Sequence, residues 1–235
     1  EIEARARQIG ASLLQVKAEE TRLVDGRVVS STSEVSIQDI ARAWYLRPQD
    51  LPADVHRGGL EATVGYKPVR DSGTFSYAAH AVTVLVDPGL GEVEILDYSI
   101  VEDGGKLVNP MVVDGQIYGG LAQGIGTALY EEMPFDGNGQ PLATTLADYL
   151  LPGPTEVPEP RLDHMETLAP YTEFGVKGLG EGGAIAPPAA IANAVNDALK
   201  GIGAELLCSP ITPRRVLEAI AAAKGRRSSD EMVRA

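Results

Sequence analysis

Five of the nine residues from 175 to 183 are glycine. A glycine loses roughly 0.5–1 kcal/mol more than alanine in backbone entropy on folding. A run of this kind is therefore typical of a backbone that needs unusual dihedral angles or that touches something closely. The run also holds Lys177 and a single acidic side chain, Glu181. We expect it to wrap against a flat ligand, and residues 184–199 to form a helix with prolines in its first turn.

Three interpretations of this glycine-rich segment compete. The spacing of Gly178, Gly180 and Gly183 satisfies a dinucleotide-binding pattern, but residues 170–174 before it are not a convincing strand, as that site requires. The segment could instead be purely structural, with Glu181 solvated. Finally, a carboxylate in a tight, water-poor loop has a raised pKa and can act as a general base near neutral pH.

A second glycine-rich segment, residues 111–132, has the pattern of a helix. Gly115, Gly119, Ala122 and Gly126 share one face that has almost no side chains. Each glycine in a helix costs about 0.8–1 kcal/mol against alanine, so tertiary contacts must offset the loss. That face could pack closely on another backbone. The adjacent polar stripe, Gln123 above all, could also meet the edge of a cofactor, and the two interpretations are compatible.

Local signals predict an α+β fold with mixed sheets and packed helices. We expect a helix at the very start, a hairpin around Asp25-Gly26, a second hairpin formed by residues 78–86 and 92–101, and a loop at 152–160. Ser36 resembles the cap of a short helix, and Thr212-Pro213 opens a last helix that ends at Gly225. Residues 226–235 then form a flexible tail, and no linker divides residues 1–225.

Composition excludes several classes of partner. The formal charge of −13 repels phosphate backbones, so we expect no nucleic acid. No apolar run approaches the roughly 20 residues that span a bilayer, and no secretory signal is visible, which favours a cytoplasmic protein. The single cysteine, Cys208, is expected to be a small buried hydrophobic residue. His56, His80 and His164 are too scattered to form a metal site, so no metal ligand is predicted.

Four segments of the chain form a recognisable set: Lys67–Arg70, Glu102–Pro110, Gly115–Gly126 and Tyr171–Gly183. Together they resemble the C-terminal part of the molybdenum-binding large subunit of the molybdenum hydroxylases, the family of xanthine dehydrogenase, aldehyde oxidase and aerobic carbon monoxide dehydrogenase. The likeness covers residues 1 to about 220, and the order of the two glycine-rich motifs is highly specific.

The resemblance implies roles for individual residues. Glu181 matches the family's catalytic glutamate, which takes a proton from a water-derived oxygen that is transferred to an electron-poor carbon while the metal gains two electrons. Gln123 matches a glutamine that contacts the pterin cofactor. Gly119, Gly120 and Gly180 are further candidates for close approach of the backbone to that cofactor. Lys177 belongs to the matching motif, but the resemblance assigns it no role.

The resemblance also implies cofactors and partners. We expect a molybdopterin, in its cytosine dinucleotide form, at an interface with the family's N-terminal half or a companion molybdenum subunit. We expect 2Fe-2S and FAD on partner subunits, and a small substrate that is an N-heterocycle, an aldehyde or carbon monoxide. The chain looks like the later part of something longer, active only within a complex. The alternative is a non-catalytic assembly module that retains the fold.

Overall fold

The chain divides into two compact units, Glu1–Lys67 and Pro68–Ala235. The computed structural model describes residues 1–53, 55, 58–67, 70 and 73–234, with side chains described as far as residue 225. Pro68 and Val69 of the Lys67–Arg70 motif lie outside the described residues, and so does His56. We predicted no linker at residue 67, although residues 48–67 contain two prolines and three glycines.

The first unit is a small α+β arrangement. Its predicted first helix, its Asp25-Gly26 hairpin and its capped second helix are confirmed. Ser36 accepts a hydrogen bond from the Asp39 N–H at 3.1 Å, which satisfies a donor that the first helical turn leaves free. The elements are α1 (Ile2–Leu14), the antiparallel strands β1 (Arg22–Val24), β2 (Arg27–Val29) and β3 (Glu34–Ser36), and α2 (Ile37–Leu46).

The core of the first unit lies between its helices and its sheet. Ile9, Val28 and Ile40 are fully buried there. Gly10 of α1 is required by this packing, because a Cβ at that position would lie 2.8 Å from the Val28 side chain. The helix and the second strand therefore approach as closely as backbone and side chain allow.

In its described residues, the second unit combines a three-stranded mixed sheet with four α-helices. The predicted hairpin is confirmed: its strands pair antiparallel, and the last strand of the sheet lies parallel to the second strand of the hairpin. The elements are β4 (Tyr77–Val86), β5 (Val93–Asp103), α3 (Pro110–Ile125), β6 (Arg161–Met165), α4 (Gly182–Ile185), α5 (Pro187–Leu199) and α6 (Pro213–Arg234).

The helices of the second unit cover one face of this sheet. Tyr98 and Ile100 of β5 are buried against Ile117 and Leu121 of α3, and α5 and α6 complete the same core. Residues 152–160 have no regular secondary structure, as predicted. The arrangement confirms the α+β class and places the glycine-rich segment beside α3.

Helix α3 begins as its sequence indicates. The Asn109 side chain accepts a hydrogen bond from the Val112 N–H, and Pro110 occupies the first helical position, where a missing N–H does no harm. The helix continues as a single π-helical segment, Gly126–Tyr130. Close packing on another backbone is confirmed, but the predicted face was only partly right. Gly126 of that face is packed against other residues, whereas Gly115 and Gly119 are open and Gly120 and Gly124 make the close contacts instead.

Helix α6 is longer than predicted. It begins at Pro213 but runs to Arg234, so Gly225 does not end it. A glycine inside a helix costs about 1 kcal/mol relative to alanine, which the neighbouring helix-forming residues can offset.

The different surroundings of the α3 glycines predict opposite effects of alanine. A Cβ at Gly120 would lie 2.7 Å from the Gly183 carbonyl carbon, whereas a Cβ at Gly115 would meet nothing within 4 Å. We expect Gly120→Ala to lower the free energy of unfolding by about 1–3 kcal/mol through overpacking. Gly115→Ala should raise it by up to about 1 kcal/mol through helix propensity. Melting temperatures of the two variants test this, and equal shifts would contradict it.

Candidate functional site

The glycine-rich segment 175–183 runs along the carboxyl end of β5. The Gly175 carbonyl oxygen accepts a hydrogen bond from the Lys106 N–H at 3.3 Å. The Lys177 N–H in turn donates to the Gly104 carbonyl oxygen at 3.1 Å. These main-chain bonds fix the first half of the segment to the residues that follow the strand.

A buried ion pair strengthens this attachment. Lys177 Nζ lies 2.9 Å from Asp103 Oδ1, and the two side chains are only 6% and 1% exposed. Asp103 also accepts hydrogen bonds from the Gly105 and Thr167 N–H groups. Burial alone would raise the pKa of Asp103, but hydrogen bonds from Thr167, Lys177 and Gly105 together hold that pKa well below its usual range. Lys177 thus has a structural role that its motif did not reveal.

The five glycines of the segment fall into two groups. Gly175, Gly182 and Gly183 are closed, because a Cβ at these positions would lie 2.5–2.8 Å from another residue of the chain. Gly178 and Gly180 are exposed, and a Cβ would meet nothing within 4 Å at the former and one oxygen at 3.8 Å at the latter. The segment is therefore held on one side and leaves bare backbone on the other.

The exposed face of α3 adjoins this bare backbone. The oxygen near Gly180 is Gln116 Oε1, which lies 3.8 Å from the position of a Cβ there. Gln123 is exposed on the same helix face two turns further, about 10 Å along the axis. Gly119 lies between the two glutamines and is also exposed, with nothing near its Cβ position. Gln116 was not selected from the sequence, although its spacing of seven residues from Gln123 was the signal.

Gly120 does not belong to this exposed surface. It is buried against Gly183 at the start of α4, so the chain itself occupies the space that a ligand would need. The dinucleotide interpretation, for its part, requires a buried strand directly before the glycines. The residues before the segment form a turn and a short 3₁₀ helix, Glu173–Gly175, rather than a strand.

Glu181 directly precedes α4 and is exposed. Its side chain makes no capping hydrogen bond to the helix. The segment alone therefore does not exclude water from this carboxylate, in contrast to the water-poor loop that we expected. The structure does bring Glu181, Gly180 and Gln116 to one surface.

Two motifs that are distant in the sequence meet in the folded chain. The Arg70 guanidinium lies 4.0 Å from the centroid of the Tyr171 ring, a cation–π arrangement. Arg70 closes the first motif of the resemblance, and Tyr171 opens the last one. The contact explains why a cation and an aromatic residue occupy these two positions.

Other candidate groups are less informative. Cys208 is exposed, not buried as predicted, because it lies in the irregular stretch before α6. Within the described residues, no group of three His, Cys, Asp or Glu side chains could hold a metal ion. In the same part of the chain, no helix has both the length and the apolar character that crossing a bilayer demands.

Comparison with known proteins identifies the family. A family model described as the molybdopterin cofactor-binding domain matches residues 1–158. Over 214 residues the chain is 39% identical to the nicotine 6-hydroxylase large subunit of Paenarthrobacter nicotinovorans, covering 90% of this chain and 26% of that protein. Over 222 residues it is 33% identical to the carbon monoxide dehydrogenase large chain of Hydrogenophaga pseudoflava, covering 93% and 27%.

A solved structure agrees with these relatives. Quinoline 2-oxidoreductase from Pseudomonas putida 86 matches with a TM-score of 0.76 at 36% identity, covering 94% of this chain and 28% of that one. The chain thus spans about a quarter of the length of the proteins it matches. It belongs to the family of molybdenum hydroxylase large subunits that bind the molybdopterin cofactor.

Proposed function

We propose that this chain forms one wall of the molybdopterin site of a molybdenum hydroxylase, and that Glu181 is the general base of that site. One observation carries the proposal. Glu181 lies where a backbone segment fixed by the Asp103–Lys177 ion pair meets an exposed surface. That surface consists of glycine backbone and glutamine side chains. A base must be held in place while remaining accessible, and this position satisfies both conditions.

The exposed residues fit a pterin in shape and chemistry. Gly119 and Gly180 leave room for a flat ring system to approach the backbone. Gln116 and Gln123 offer amide groups that can both donate and accept hydrogen bonds along the edge of such a ring. When bound, the molybdenum cofactor supplies a centre that accepts two electrons while an oxygen from water passes to the substrate.

Within this site the task of Glu181 is to accept a proton. Its carboxylate is exposed in this chain, so other parts of the subunit must cover it when the site is complete. Removal of water raises the pKa of a carboxylate and brings it closer to the value that suits a base near neutral pH. The relatives are about four times longer than this chain, which leaves ample polypeptide for that cover.

The complete enzyme would oxidise a small molecule. The matching relatives are named for nicotine hydroxylation and carbon monoxide oxidation, which supports an N-heterocycle, an aldehyde or carbon monoxide as substrate. The names "large subunit" and "large chain" support assembly with smaller subunits, to which we assign 2Fe-2S and FAD. We further propose residues 1–225 as the cofactor-binding segment, the cytosine dinucleotide form of the cofactor, and a cytoplasmic location. Residues 226–235, in which α6 continues as far as Arg234, are proposed as a flexible extension of that helix.

Replacement of the proposed base tests this assignment. In the assembled complex, Glu181→Gln should lower kcat by about 10²–10⁴-fold, because the amide cannot accept the proton. Molybdenum and pterin content should not change. Glu173→Gln is the matched control, since Glu173 is also exposed and lies just before the segment. Unchanged turnover of Glu181→Gln would favour the alternative, a non-catalytic assembly module.

The open glycines allow a separate test of cofactor binding. Gly119→Ala and Gly180→Ala add a methyl group where the chain itself leaves space. We expect both to fold normally and to lower the molybdenum and pterin content per complex, because the methyl group blocks the ring. Gly115→Ala, one turn from Gly119, is the control and should retain full content. Gln123→Ala should also lower the content, and normal content in all the variants would contradict the assignment.

A further inference from the structure

Glu102 is a buried carboxyl group to which the proposed mechanism gives no role. It is the penultimate residue of β5 and is only 1% exposed. Both of its carboxyl oxygens are inaccessible and have no hydrogen-bond partner among the described residues. A charged carboxylate that is neither solvated nor paired is strongly disfavoured inside a protein.

The cationic groups near Glu102 are already engaged by other carboxylates. Lys177 binds Asp103, which projects from the other face of the strand. His164 pairs with Glu102 in the β5–β6 register, but its Nε2 lies 2.8 Å from Asp114 Oδ1 on α3. The other ring nitrogen, Nδ1, is buried without a hydrogen-bond partner, so it does not bind Glu102. Glu102 is therefore the third carboxyl group beside one lysine and one histidine.

The Glu102 carboxyl group lies directly against the glycine-rich segment 175–183. A Cβ at Gly182 would stand 2.5 Å from Glu102 Oε1, closer than real Cβ contacts come, and 3.1 Å from its Cδ. On the other side, a Cβ at Gly183 would stand 2.5 Å from the Ile117 carbonyl oxygen of α3. The two residues after Glu181 are thus wedged between the end of β5 and α3.

We propose that Glu102 is a positioning residue. It carries a proton in the working enzyme, and its neutral carboxyl group contacts Gly182 and thereby holds the neighbouring Glu181 in position. This inference rests on the proposed role of Glu181 as the base. A displacement of about 1 Å in a reacting group can lower a rate about 10²-fold, so the contact matters for turnover.

The electrostatic surroundings agree with a neutral group. Burial raises the pKa of Glu102, His164 opposes this shift, and Asp103 adds to it. Because the folded pKa is raised, the folded protein retains a proton that the unfolded chain releases at about pH 4.3. Stability is then greatest below that pH and falls as pH rises towards the folded pKa.

The first test measures the protonation of Glu102. In the assembled complex, Glu102→Gln should retain kcat within about threefold and full cofactor content, because the amide has the shape of the neutral acid. The difference in melting temperature, variant minus parent, should increase as pH rises from the ordinary carboxyl range. The reason is that the parent loses a stabilising proton and the amide has none to lose. Glu94→Gln, at an exposed position of the same strand, should show a difference that does not vary with pH. A pH-independent difference for Glu102→Gln would overturn the proposal.

The second test measures the contact with Gly182. The backbone of Gly182 has no positive φ, and the three atoms nearest to its Cβ position all belong to the Glu102 carboxyl group. Gly182→Ala should lower kcat per molybdenum by about 10–100-fold with KM unchanged, because the methyl group displaces Glu181. Combining it with Glu102→Ala, which removes the obstacle, should restore at least half of that loss on a logarithmic scale. Additive effects, or a kcat of Gly182→Ala equal to the parent value, would overturn the proposal.

Hydrogen exchange separates this inference from the proposed function. Amides of residues 179–184 should exchange at least tenfold faster in Gly182→Ala, and the double variant should reverse this change. This readout does not depend on the chemistry of Glu181. If Glu181→Gln has normal turnover but the double variant reverses the faster exchange, Glu181 is not the base and the contact between Glu102 and Gly182 still holds. If the double variant does not reverse the faster exchange, the proposed contact itself is wrong.

Discussion

The buried ion pair between Lys177 and Asp103 is the interaction on which the candidate site depends. It joins a segment with almost no side chains to the end of a strand 74 residues earlier in the chain. Glycine-rich backbone has little apolar surface of its own to bury, so hydrophobic packing cannot hold it. A charged pair with further hydrogen bonds from Gly105 and Thr167 supplies the missing attachment. Loss of either partner would leave an uncompensated buried charge, which costs about 3–5 kcal/mol.

The glycines of the second unit have two different structural roles, although the residues themselves are identical. Gly120 and Gly183 let α3 and the start of α4 approach until their backbones touch. Gly119 and Gly180 instead leave space on the outside of the same arrangement. The closed glycines set the geometry, and the open ones provide the surface that a flat cofactor can approach. This division places Glu181 at the border between a rigid support and an accessible face.

Local signals were sufficient for most of the secondary structure. The cap at Ser36 and the Asp25-Gly26 turn each act within a few residues, so neighbouring sequence specifies them. The two-unit division, the continuation of α6 beyond Gly225 and the exposure of Cys208 were missed or predicted wrongly. Each of these depends on which distant segments cover a residue, and a local sequence pattern does not show those tertiary contacts.

The sequence by itself determined the fold class, the family and the candidacy of Glu181 and Gln123, because motifs in a fixed order are visible without coordinates. Only the tertiary structure decided which glycines are open, that Gln116 adjoins Gly180, and that Lys177 is a structural cation. It alone revealed Glu102 as a buried carboxyl group against Gly182. The physical reason is that burial and charge pairing arise between segments about 60–80 residues apart, where spacing along the chain says nothing about distance in space.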